Sequence, residues 1–337
     1  MIPVPGHAHE WLPLVFLGLM GVSMLAYVVL DGYDLGVGIL LRRAGDTDKD
    51  TMLASIGPYW DANETWLVLG IGVLLVAFPL AHGVILTALY LPVAVMLIGL
   101  IVRGAAFDFR VKARDSHRSA WNTAFYAGSW VTAAAQGYML GWYVLGFASG
   151  WSARLFAALI ALCVVSGYTL MGAVWLVMRT EGDLQKRAVD WAQRSLWLTG
   201  AGILAVSVGT PWVSPRIFER WFSMPNLLLL SPVPLLTAVF FALTLRTLAR
   251  LPQPGDRHAW VPFACTVGMF TLAAGGLAYS TYPFLVVDRI TAMQAASATE
   301  SLWIVFLGVV VVLPFIIAYN VFAYRVFRGK ARPLTYY

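Results

Sequence analysis

Between Ser55 and Trp66 the chain reads Ser-Ile-Gly-Pro-Tyr-Trp-Asp-Ala-Asn-Glu-Thr-Trp, which gathers two carboxylates, an amide and two indoles into one short stretch. It runs straight into the apolar segment Leu67–Phe78, and no Asp, Glu, Lys or Arg follows until Arg103. Asp61 and Glu64 are three residues apart and share one face of a helix. An ionisable side chain at the centre of a bilayer costs roughly 2.5–3.5 kcal/mol on insertion scales. Two on one helix therefore call for a function or for pairing.

Two further clusters have the same character. Asp31-Gly-Tyr-Asp34-Leu-Gly-Val-Gly puts two aspartates at i and i+3, and Arg103-Gly-Ala-Ala-Phe-Asp108-Phe-Arg110 puts a base and an acid near the end of a third apolar run. Carboxylates at graded depth, with one arginine available to hold a proton-accepting group ionised, are what a proton relay from the cytoplasm requires. The competing reading is structural: buried ion pairs that pin the first three helices, for instance Arg103 with Asp34 or Asp108. The local sequence offers Asp61 and Glu64 no nearby base.

Other chemistries find little support. His7 and His9 lie in the N-terminal tail, His82 at an outer turn, and His117 and His258 in cytoplasmic loops, so facing imidazoles for a haem are absent from the membrane interior. Cys163 and Cys265 sit in apolar runs and read as small buried hydrophobes rather than a disulfide or a metal site. Gly32, Gly36 and Gly38 lack the preceding strand of a dinucleotide fold and mark a closely packed helix end. There is no HExxH motif and no metal site is expected.

The elements that must position these groups follow from composition. The 337 residues are 60% hydrophobic and 12% charged, with mean hydropathy +0.74, whereas soluble domains are about a quarter charged. The fold class is an all-α polytopic membrane protein, a single integral-membrane domain over residues 1–337. The net charge of +6 is divided among loops and does not suggest nucleic acid. Runs near the twenty-residue length of a bilayer span give nine helices: Trp11–Leu41, Met52–Phe78, Gly83–Phe107, Ala120–Leu145, Leu155–Met178, Ala188–Gly209, Leu228–Leu248, Ala259–Tyr282 and Glu300–Phe327. Pro58, Pro92, Pro262 and Pro314 fall inside them and are expected to kink them. If the second helix starts near Thr51, Asp61 lies roughly 15 Å along it, near mid-membrane.

Alternate ends of these nine helices carry nineteen and four of the Lys and Arg residues, the four being Arg154, Arg216, Arg220 and Arg289. The nineteen include Arg332. By the positive-inside rule the N-terminus is periplasmic and the C-terminus cytoplasmic. The first run lacks a basic leader and a small-residue cleavage site, and is read as a retained span. Pro211–Asn226 is expected as the longest loop, lying on the outer surface, and Trp11, Trp142, Trp151, Trp212 and Trp221 as part of an aromatic belt.

Asp31 to Gly38, Pro58 to Trp66 and Arg103 to Arg110 together resemble subunit II of the cytochrome bd quinol oxidases. The motifs come in the family's order and spacing, and Tyr282-Pro-Phe followed by the last helix resembles its C-terminal part. The resemblance covers about residues 15–330, and the short length resembles the cyanide-insensitive branch. It implies two four-helix bundles plus a peripheral helix in the bacterial inner membrane. It also implies a complex that oxidises quinol and reduces dioxygen to water, with two haems b and one haem d in subunit I and none in this chain. A small single-helix accessory subunit and a structural quinone between helices occur in such complexes. Asp61 and Asp108 match positions assigned to a proton path; Arg103, Asp34 and Trp60 match neighbouring positions, with Asn63 in the same motif. Glu64 departs from the family pattern, which often has an amide there.

The residues thus point to a proton path through Asp61, Asp108, Glu64, Asp34 and Asp31, supported by Arg103, Trp60 and Asn63. A stand-alone proton-coupled transporter, and a scaffold whose charges are structural, remain as rivals.

Overall fold

Residue 8 to residue 40 is a stretch of apolar side chains broken by few polar ones, and it forms a single helix against which the helices Trp60–Ala77, Asp115–Val144, Trp151–Arg179 and Thr299–Val326 are packed. The structure is a computed structural model and describes residues 5–331, so Arg332 lies outside the described residues. Helices run over Ala8–Leu40 (α1), Asp46–Ile56 (α2), Trp60–Ala77 (α3), Pro79–Lys112 (α4), Asp115–Val144 (α5), Trp151–Arg179 (α6) and Gly182–Val213 (α7). They continue with Pro215–Phe222 (α8), Asn226–Leu230 (α9), Pro232–Leu248 (α10), Val261–Thr281 (α11), Ala292–Ala295 (α12) and Thr299–Val326 (α13).

Two rings of helices result. In the first, α1 packs on α3 and α5, and α4 closes the ring between them; in the second, α6, α7, α10 and α11 pack in the same cyclic way. The rings meet where α6 lies against α1 and α5, and α13 flanks the first ring along α1 and α3. Small residues make the junction close. A Cβ on Gly36 of α1 would stand 1.8 Å from the Tyr168 carbonyl oxygen of α6, and one on Gly172 would stand 2.3 Å from the Gly36 carbonyl carbon. Backbone-to-backbone approach of this kind is how membrane helices gain dispersion energy without a hydrophobic drive between them.

Among the described residues seven helices are long and apolar enough to cross a membrane, and α7 with α8, bent by 101°, would make an eighth. The expected nine includes α5, which has 30 residues but is rich in Ala, Gly, Ser and Thr.

Several expectations are corrected. Met52–Phe78 is not one helix: α2 ends at Ile56, Pro58 stands in the turn, and α3 starts at Trp60. The 18 residues of α3 rise about 27 Å, enough alone for the hydrocarbon core. Asp61 therefore sits in the first turn of a span, not at mid-membrane. Pro262 is in the first turn of α11, where a missing N–H costs nothing, and kinks nothing. Pro92 and Pro314 are inside helices as expected. The stretch Pro211–Asn226, expected as a long outer loop, instead holds the end of α7 and the helix α8, whose Trp221 Nε1 donates to Ser280 Oγ at 2.8 Å. The connection from α11 to α13 holds a small antiparallel hairpin, Phe284–Val286 with Ile290–Thr291, which the all-helical expectation missed. It is braced by Arg216, 3.0 Å from Asp288.

Candidate functional site

α1, α3 and α4 bring their ionisable groups together inside the first ring. Asp31, Asp34, Asn63 and Arg103 are all fully buried. Arg103 Nη2 lies 2.8 Å from Asp31 Oδ1, and Arg103 Nη1 donates to Glu64 Oε1 at 2.6 Å. The guanidinium thus has partners on α1 and α3, but they are not the Asp34 and Asp108 that the structural reading had paired with it. Glu64 does have a base beside it, which the sequence around it could not reveal because that base comes from another helix.

Asp34 is held differently. Asn63 Nδ2 donates to Asp34 Oδ2 at 2.8 Å and to the Tyr33 hydroxyl at 2.8 Å. Tyr324 of α13 donates to Asn63 Oδ1 at 3.0 Å, and the Tyr324 and Tyr33 oxygens are 2.5 Å apart. Because the Tyr324 hydrogen is spent on Asn63, Tyr33 is the donor in that last bond. The three side chains close a ring in which each donates to the next. Among the described residues no donor reaches Asp34 Oδ1.

Asp61 and Asp108 are exposed on this chain, one turn from the start of α3 and one turn from the end of α4. Trp60 lies between the two helices, its ring 5.0 Å from that of Phe107 and over Gly104. Exposure therefore falls from Asp61 through Glu64, 26% exposed, to the fully buried Asp31 and Asp34. Asp61 and Glu64 share a face but not an environment.

The rim around these helix ends is also charged. Arg110 lies 2.7 Å from Asp50 of α2 and donates to Asn122 of α5 at 2.5 Å. On α2 itself, a hydrogen bond from Lys49 and its charge hold the Asp46 carboxyl below its ordinary value. Arg187 of α7 pairs with Asp48. Residues the sequence reading missed are Tyr27, Tyr33, Gln136, Tyr168 and Tyr324. Tyr27 stands one turn before Asp31 and could have been found by that spacing; Gln136 is an amide within the small-residue stretch of α5.

The donor set does not fit a haem. His7 and His9 flank the start of α1, His82 and His117 are in the first turns of α4 and α5, and His258 precedes α11. The buried polar groups are carboxyls, amides, hydroxyls and the guanidinium groups of Arg103, Arg110 and Arg179. Among the described residues no three His, Cys, Asp or Glu side chains group so as to hold a metal ion.

Comparison with known proteins places this geometry. A family model described as cytochrome bd terminal oxidase subunit II matches residues 12–327. Cytochrome bd ubiquinol oxidase subunit 2 of Bacillus subtilis is 27% identical over 94% of this chain and 97% of its own length. Cytochrome bd-I ubiquinol oxidase subunit 2 of Escherichia coli K12 is 27% identical over 96% of each chain. Among solved structures, a chain of the bd oxidase from Geobacillus thermodenitrificans superimposes with a TM-score of 0.78 at 17% identity, covering 94% of this chain and 98% of that one.

Proposed function

The chain belongs to the cytochrome bd terminal oxidase subunit II family, and we propose that it forms one wall of a proton path from the cytoplasm to a haem-bearing partner subunit. It is a multi-pass protein of the bacterial inner membrane and a subunit of an oxidoreductase complex that contains haem and a subunit I. The stand-alone transporter finds no support in these relationships. In the proposed division of labour, subunit I carries the two haems b, haem d and the quinol site, and reduces dioxygen to water. This chain carries no redox group and supplies carboxyls.

The observation that supports the path is the fall in exposure from Asp61 to Glu64 to Asp31 and Asp34. Asp61 and Asp108 collect protons at the cytoplasmic ends of α3 and α4. Glu64 is the next step inward. Three carboxyls, Glu64, Asp31 and Asp34, face a single guanidinium, so Arg103 balances one of them and the set has room for exchangeable protons. Asn63, locked by Tyr33 and Tyr324, fixes the Asp34 carboxyl in place. A purely structural cluster would balance its charges, and this one does not.

Asp61→Asn in the purified oxidase tests the path. The expected outcome is assembled complex with the visible bands of its haems intact, and oxygen reduction and proton uptake slowed about a hundredfold or more, in the range by which a positioned proton-transfer group contributes. Normal turnover with normal proton uptake would leave this chain a scaffold role only.

A further inference from the structure

A second polar chain reaches the same carboxyls from the opposite side. Tyr168 of α6 donates to Gln136 Oε1 of α5 at 2.8 Å, and Gln136 Nε2 donates to the Tyr27 oxygen of α1 at 2.6 Å. Tyr27 precedes Asp31 by one turn, on the same face of α1. Tyr27 and Tyr168 are both 2% exposed, so water does not replace these bonds. The Tyr168 ring is clamped between Gly32, where a Cβ would come within 3.0 Å of it, and the stacked ring of Phe270.

The sense of each bond follows from the chemistry of the groups. An amide has a donor end and an acceptor end, and a phenol has one hydrogen. Tyr168 spends its hydrogen on the Gln136 carbonyl, so the Gln136 amino end points at Tyr27. Tyr27 accepts there, and its own hydrogen is left for Asp31. Arg103 Nη2 stands 2.8 Å from Asp31 Oδ1 as an ion pair, but neither Asp31 oxygen accepts a hydrogen bond among the described residues, so both are open to a hydroxyl hydrogen. The amide also stops conduction, since it passes a proton only by giving up its amide form.

We propose that Gln136 is a positioning residue for the proton-handling cluster: held by Tyr168, it turns the Tyr27 hydroxyl hydrogen onto Asp31 and closes the cluster on that side. Its relevance to turnover rests on the proton-path reading; the orientation itself does not. Four helices then meet at Asp31, with Arg103 from α4, Tyr27 from α1 itself, Gln136 from α5 acting through Tyr27, and Tyr168 from α6 acting through Gln136. The groups facing Asp31 are Arg103, Asp34, Glu64, Tyr27 and Tyr168.

The test is infrared difference spectroscopy of the purified oxidase carrying Tyr27→Phe, Gln136→Met or Tyr168→Phe, compared with wild type. The expected result is a carboxyl band displaced in Tyr27→Phe, displaced in the same direction by less in Gln136→Met and by least in Tyr168→Phe, with Asp31→Asn removing that band. Turnover is expected to fall about tenfold in Tyr27→Phe with haem content retained, the equivalent of one lost hydrogen bond to a charged group. Displaced bands with unchanged turnover would uphold the orientation of Asp31 and overturn the proton path. An unmoved carboxyl spectrum in Tyr27→Phe overturns the proposal. If that variant loses its haems, Tyr168→Phe, which removes one hydroxyl at the far end of the chain, decides by the same criterion.

Discussion

The two four-helix rings handle polar groups in opposite ways. In the second ring the hydroxyls of Thr169, Thr244, Thr266 and Ser280 bond to their own helix one turn back, to Val165, Phe240, Pro262 and Gly276 at 2.7–2.8 Å, while Tyr168 reaches across to Gln136 of the first ring. In the first ring Ser23 and Ser129 also bond to their own helix, but the ionised and amide groups bond across helices, with Arg103 joining α4 to α1 and α3, and Asn63 joining α3 to α1 and α13. Self-bonded hydroxyls carry no information about their neighbours. Cross-bonded ions fix the rotation of each helix about its axis, at the risk of an uncompensated charge if one member is lost.

That contrast sets an order of effects. Arg103→Gln is expected to do the most harm: Asp31 and Glu64 would share a buried space without a cation, at about 3–5 kcal/mol, and haem-replete complex should no longer be recovered from solubilised membranes. Retention of full haem content would mean that the first ring is as tolerant as the second. Gly36→Ala acts on the junction between the rings. A methyl group placed 1.8 Å from the Tyr168 carbonyl forces α1 and α6 apart, costing about 1–3 kcal/mol and lowering the thermal midpoint of the detergent-solubilised complex. Thr266→Val, a deletion of a self-bonded hydroxyl, is the smallest, on the order of 0.6 kcal/mol, and should leave both the midpoint and turnover within error. A large loss there would erase the distinction between the rings.

Much of this was legible in the sequence. The long helices came from apolar run length, because a bilayer imposes that length on any span. The acids of the three motifs stood out because charges in such runs are costly. What sequence could not supply was rotation and depth. The Gly57-Pro58 pair reads as a kink within Met52–Phe78 rather than as a break, which misses the stop at Ile56 that moves Asp61 to the membrane rim. The partners of Arg103 were misassigned for a related reason: i, i+3 spacing says which residues share a face but not which face meets which helix. Tyr27, Tyr168 and Tyr324 went unnoticed because tyrosine is common at membrane interfaces, and nothing local distinguishes a buried hydroxyl from a surface one.

The far end of the chain adds a consequence of its own. Arg179 grips the Phe327 carbonyl at 2.7 Å, Ala331 N–H donates back to the Arg179 carbonyl at 2.7 Å, and Lys330 reaches both the Thr180 carbonyl and Asp256. This clasp sets Tyr324 onto Asn63, a residue translated some 260 positions earlier. The first four helices can enter the membrane while synthesis is under way, yet their acid centre stays unfinished until α13 has been made. A chain stopped before Tyr324 would therefore carry every carboxyl of the centre and still lack the hydroxyl that locks Asn63, which makes the insertion of α13 the moment at which this centre acquires its final shape.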